Sequence, residues 1–373
     1  MSTVEYVTED DTLAEVAIKV QTSASLRTSS SILLAALLSA SYILNAVLAT
    51  TVLFCPKLRG RLLYLFFTHL AFVNILSLTF TVLFSLIFVA NGEWTMGTGV
   101  CRVTAMIQQF TQIYTLFSLI LTAVERTITI ASSPKVPLFT PIRCVIFHGT
   151  LVLVALALSL PILTPAIPVN QFNYRYLCGI GSGSPIAFTA TTAILFIGCL
   201  LIFLFCSAVI LARKTKRRNL PVQPSDYSAF IVMTRQIQEE VSHGKLVLLL
   251  ITCYILLCGP YAFLCYYYQI RNSAELLASL VPMEIPPDAD TLITWIYFLF
   301  PLFVPIIIFC WCNDIWPNIK EIFCCKSSEL PTLSYYQNPK GQFASTNVMT
   351  LVATADGLQL KMAPAPSDPA YKV

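Results

Sequence analysis

Few residues in this chain can do chemistry, and their spacing favours binding and switching over bond-making. Arg126 stands beside Glu125 at the end of an uncharged run, 103–124. An unpaired guanidinium at the edge of an apolar layer is costly, so Arg126 needs a carboxylate. Glu125 is adjacent, and Glu240, 20 residues before Pro260, lies about 30 Å down its own helix at a comparable depth. Five full helical turns before Arg126, about 27 Å away, Gln108 falls on the same helix face. Gln112 and Thr115 follow it at i+4 and i+7, with Gln109 offset by one. A polar stripe of this kind either lines a ligand cavity or bonds across to neighbouring helices, and the sequence leaves both readings open. Tyr261, Tyr266, Tyr267, Tyr268, Trp295 and Tyr297 cluster near the corresponding ends of two later apolar runs. Tyr261 and Trp295 are candidates for the same cavity, whereas Tyr266–Tyr268 fit an interfacial aromatic belt better. His69 and His148 lie within apolar runs and read as hydrogen-bonded packing residues rather than proton relays. No nucleophile–base pair and no Cys/His spacing typical of a metal site occurs, so neither an enzyme nor a bound cofactor is expected.

These groups must be held by elements that cross a membrane. The 373 residues are 56% apolar and only 11% charged, with mean hydropathy +0.74, whereas a soluble domain carries about 25% charge. Seven apolar windows of bilayer length fall at 31–55, 62–90, 102–124, 142–167, 186–212, 246–270 and 291–312. Their only ions, Arg102 and Arg143, sit at the ends, where a long side chain can snorkel. The fold class expected is an all-α membrane protein, a seven-transmembrane helix bundle with a short amphipathic eighth helix. With the N-terminus outside, 18 of the 23 Lys and Arg lie in inner segments, as the positive-inside rule requires. A net charge of +4 spread in this way does not point to nucleic acid. The division expected is an extracellular tail over 1–30 without a removable signal peptide, the spanning domain over 31–312, an amphipathic cytoplasmic helix over 313–326, and a disordered cytoplasmic tail over 327–373.

Of the 13 cysteines, only Cys101 and Cys178 fall clearly in outer segments, which makes them the expected disulfide in an oxidising exterior. Cys324 and Cys325, at the inner membrane edge, read either as reversible palmitoylation sites or as plain membrane-edge residues.

Taken together, the layout over about 30–326 resembles a rhodopsin-like (class A) G-protein-coupled receptor. Trp94-Thr-Met-Gly97 precedes Cys101 as that family's W-x-F-G segment precedes its disulfide cysteine, and Arg126 follows Cys101 by twenty-five residues. Glu125-Arg126-Thr127 fills the D/E-R-Y motif with Thr for Tyr; Asn45, Leu70-Ala71 with Asn74, Pro260 and Pro305 match further family positions. The resemblance implies a latch between Arg126 and Glu240 whose opening lets the sixth helix swing outward to admit a heterotrimeric G protein. With it come an extracellular ligand, membrane lipid and arrestin-type proteins as partners, and a plasma-membrane location. Pro260 bends the sixth span and, with Pro305, belongs to the implied activation switch.

Several family features are absent. Asn74 replaces the acid of span two, Leu257-Cys258-Gly259-Pro260 lacks the tryptophan before the proline, and Val304-Pro305-Ile306-Ile307-Ile308 replaces N-P-x-x-Y. Span seven has no lysine for a retinal Schiff base, and Gln108 stands where amine receptors place an aspartate. A small molecule, lipid or short peptide remains as ligand. The alternative is an atypical, ligand-independent or scaffolding receptor with weak or no coupling.

Overall fold

In lipid, a backbone can satisfy its N–H and C=O groups by bonding within a helix, so long uncharged runs fold as helices. A computed structural model describes residues 9–131, 141–217, 227–277, 283–324, 349–354 and 357–362. Among the described residues, seven segments are helical, long and apolar enough to cross a membrane: Arg27–Phe54, Leu62–Asn91, Gly97–Ile130, Arg143–Leu163, Ile186–Ala212, Gln238–Arg271 and Pro287–Trp311. The all-α seven-helix bundle expected from the sequence is the fold observed.

The first span is the distal part of α1 (Glu9–Phe54), whose backbone is already helical well before the apolar window begins. Residues 1–8 of the expected tail lie outside the described residues. After α2 (Pro56–Arg59), the second span runs through α3 (Leu62–Ser77), a π-helical turn Leu78–Val82 and α4 (Leu83–Asn91), which Gly92 ends in the left-handed region at φ 78°. The third and fourth spans are α5 (Gly97–Ala131) and α6 (Pro141–Ser159), the latter finished by a 3-10 turn at Leu160–Leu163. A hairpin of β1 (Val169–Phe172) and β2 (Leu177–Ile180), paired antiparallel with Gln171 opposite Cys178, leads to α7 (Ile186–Arg217).

The sixth span belongs to α8 (Tyr227–Arg271), which carries Pro260 in its interior and is followed by the single turn α9 (Ala274–Leu277). The seventh is split into α10 (Pro287–Phe298) and α11 (Phe300–Trp311), and α12 (Ile315–Cys324) follows. The two helices of this span part at Leu299, because Pro301 cannot donate to the carbonyl four residues earlier, and Asn45 Nδ2 donates to the Pro301 carbonyl at 2.7 Å.

The third span is the axis of the bundle. Within its most apolar stretch 72% of residues are buried, against 17% for the fourth and fifth spans. It packs against α3, α6, α7, α8 and the hairpin. The cause is its polar stripe, which is the face least tolerable to lipid. Residues 327–373 form a separate unit. In it β3 (Met349–Thr354) and β4 (Gly357–Met362) pair antiparallel, with Leu351 opposite Leu360. Regular structure was not expected there; the apolar–polar alternation of Leu358-Gln359-Leu360-Lys361-Met362 in β4 is the signal that favours pairing.

Candidate functional site: an ion-pair latch and a capped polar cavity

At one end of α5, Arg126 is held by two carboxylates. Its Nε and Nη2 donate to the two oxygens of Glu125, the second at 2.5 Å, and its Nη1 donates to Glu240 of α8 at 2.5 Å. Thr129 donates to Glu125 Oε1 at 3.1 Å, fixing that carboxylate one turn along the helix. Arg126 and Glu125 are buried, while the Glu240 side chain is 40% exposed. The intrahelical pair is therefore the more buried one. The α5–α8 contact is more solvated and therefore weaker. Gly244, one turn along α8, permits this approach: a Cβ there would lie 2.9 Å from Ile130 Cδ1 and 3.6 Å from Ile210.

At the other end, Cys101 and Cys178 form a disulfide that ties the start of α5 to the hairpin. Arg102 does not extend into an interface; its Nη1 donates to the carbonyls of Ile162, Thr164 and Ile167 at 3.1, 2.7 and 3.0 Å, fastening α5 to the turn that ends the fourth span. The hairpin tip then drops Arg175 into the bundle. That side chain is 3% exposed, donates through Nε to Asp290 of α10 and through Nη1 to Cys265 Sγ at 3.4 Å, and lies 4.4 Å from the Phe172 ring centre. Burial works against its charge, but Cys265, Tyr261 and Asp290 outweigh burial and hold its pKa above the ordinary guanidinium value. Thr291 donates to the Tyr174 carbonyl at 2.9 Å, a second tie between hairpin and α10.

Beneath Arg175 three small cavities meet at Gln112. One of about 30 Å³ is bounded by Gln108, Gln109, Arg175, Tyr261, Tyr266 and Gln269. Another, of about 20 Å³, lies deeper between Asn74, Ser77, Thr115, Tyr254 and Tyr297. The third, of about 10 Å³, is mostly apolar, between Ile113, Leu116, Leu195 and Phe196. Each has the scale of one or two waters, far below the roughly 300–1,000 Å³ of a pocket enclosing a drug-sized ligand.

The chain from residue 44 to 307 matches the sequence model of the 7 transmembrane receptor (rhodopsin family). The chain belongs to that family. Among solved structures, squid rhodopsin is similar at 16% identity and a TM-score of 0.65, over 82% of this chain and 89% of that one, a likeness of fold. No curated protein sequence matches.

The receptor brings together most of the residues singled out from sequence. Gln108 donates to Tyr261 Oη at 2.7 Å, Tyr261 stacks on Tyr297 at 4.5 Å between ring centres, and Tyr254 donates to the Gln112 carbonyl at 2.9 Å. Thus Gln108 bonds across helices and lines a cavity at once. Trp295 borders none of the three cavities and packs on Phe298 instead. Of the three tyrosines assigned to a belt, Tyr266 is buried against Phe196, Tyr268 packs on Phe172, and Tyr267 alone is well exposed. Pro260 and Pro305 lie inside α8 and α11. Cys324 ends α12, its side chain outside the described residues, as is Cys325 altogether.

Two groups went unread. Arg175 and Asp290 are 115 residues apart, and their pairing needs the fold. The second group is a set in which Tyr114 Oη bonds His69 Nε2 and lies 3.2 Å from His148 Nδ1, joining α3, α5 and α6. Both histidines are thus hydrogen-bonded packing residues, although the shared tyrosine was not foreseen.

Proposed function

We propose that this rhodopsin-family receptor passes a stimulus from the disulfide end of the bundle to a heterotrimeric G protein at the Arg126 end, by outward movement of the sixth span. The observation that carries the reading is the Arg126–Glu240 ion pair, the one charged tie between α5 and α8 among the described residues. A two-state element of this kind is what an outer ligand must bias for coupling between the ends to exist. The N-terminus is extracellular and the C-terminus cytoplasmic in the plasma membrane, as the distribution of basic residues supports. The ligand is a small molecule, lipid or short peptide that reaches Gln108, Gln112, Thr115 and Tyr261. Arrestin-type proteins and membrane lipid share the inner face, and Cys324 and Cys325 are its lipidation sites.

The test is nucleotide exchange on a panel of G proteins with the reconstituted receptor and no ligand added. Glu240→Ala raises basal exchange several-fold, and Arg126→Ala lowers it. Unchanged exchange in both, at matched expression, would overturn the coupling reading. That outcome would favour a ligand-independent or scaffolding receptor, a reading supported by the plug that its own Arg175 forms over the cavities.

A further inference from the structure

The walls of the cavity under the hairpin carry more donors than the protein itself employs. Arg175 Nη2 is buried without a hydrogen-bond partner, although the same guanidinium bonds Asp290 and Cys265 through its other two nitrogens. Gln112 Nε2, on the opposite helix and in the same cavity wall, is likewise buried and unbonded. Leaving such groups unmatched is expensive, so a molecule that offers them an acceptor is held strongly there.

Charge decides which acceptor. Arg175 is the only ionised side chain lining that cavity among the described residues, and Asp290 already neutralises it. A ligand carboxylate would leave a net negative charge in a buried site. A ligand ammonium would meet a guanidinium and amide donors. A neutral carbonyl or amide oxygen satisfies the donors and leaves the ion pair balanced. Shape adds a second element, because Gln112 and Tyr266 are walls both of this polar cavity and of the apolar one beside Leu195 and Phe196. The two volumes share these walls, and the apolar one is small, about 10 Å³, with no room for a branch.

We infer that the receptor's outer site takes an uncharged small molecule whose acceptor oxygen bonds Arg175 Nη2 and whose unbranched apolar chain runs past Gln112 and Tyr266 toward Phe196. This rests on the receptor reading above and deepens it by naming the ligand's chemistry. The site is tight, so binding repacks Tyr266 and Gln112, which belong to α8 and α5, the two helices that the Arg126–Glu240 pair joins.

The test compares octan-2-one, octanoate, octylamine and octane, at equal bilayer concentration, on thermal unfolding of the full-length receptor in lipid nanodiscs. Octan-2-one raises the melting temperature by about 2 °C more than octane, while octanoate and octylamine do no better than octane. Gln112→Leu reduces that increment and the double variant Arg175→Met with Asp290→Leu abolishes it; the double change avoids stranding Asp290. The inference is overturned if the ketone matches octane, if octanoate or octylamine exceeds the ketone, or if the increment survives in both variants. The readout is binding alone. Loss of the increment with basal nucleotide exchange intact defeats this inference only, whereas an intact increment with no exchange defeats the coupling reading and spares the site.

Discussion

Two ion pairs, one at each end of the bundle, differ in burial and therefore in what a mutation does to them. Arg175 and Asp290 are both nearly inaccessible, so removing one partner strands a charge. Asp290→Ala is expected to cost about 3–5 kcal/mol of stability, and Arg175→Met with Asp290→Leu to recover most of it, as a double-mutant cycle on thermal unfolding would show. The guanidinium's raised pKa adds stability that is complete below the ordinary guanidinium value and is lost only above it. On the guanidinium alone, melting of the wild type and of the double variant should differ by the same amount at pH 6 and pH 8; a pH-dependent difference would show that a group other than the guanidinium, Asp290 included, titrates in that range. The Arg126–Glu240 contact is partly solvated, so breaking it should cost little stability and, on the proposed function, shift a conformational balance instead. Arg126 was legible because a cation next to an uncharged helical run needs a partner. Arg175 was not, because a lone arginine in a loop has the same local sequence whether it faces water or the bundle.

The elements themselves set how these pairs meet. Gly244 brings α8 close to Ile130 of α5 and Ile210 of α7 one turn from Glu240. Gly244→Val should wedge the Arg126 end open and raise basal exchange about as much as Glu240→Ala, and adding Ile130→Ala should restore most of the closed state. If Gly244→Val leaves basal exchange unchanged, α8 does not move as proposed. Hydrophobic windows located all seven spans, since an uncharged run of bilayer length has few alternatives to a helix. The irregularities within them were harder to see. The π turn at Leu78–Val82 contains no proline or glycine to announce it, and the parting of α10 from α11 at Leu299, ahead of Pro301, was not read from the sequence.

At the scale of the whole molecule, the basic asymmetry predicts an N-terminal epitope reachable on intact cells and a C-terminal one reachable only after permeabilisation; the reverse staining would invert the topology. The Cys101–Cys178 bond closes a loop of 77 residues, and its loss through Cys178→Ser should lower stability by at most about 4.5 kcal/mol in the chain-entropy model. It should also free the hairpin, so that Arg175 leaves the cavity and the ketone increment disappears with it. Sequence alone determined that this is a membrane protein of seven helices, with one disulfide and an arginine in need of an acid, because hydropathy, charge placement and cysteine count are properties of composition and order. Only the tertiary structure decided that Arg175 turns inward to Asp290, that Tyr114 joins two histidines, and that the cavities end against Gln112. Those contacts are between residues far apart in the chain, and nothing local distinguishes a charge that will be buried from one that will stay in water.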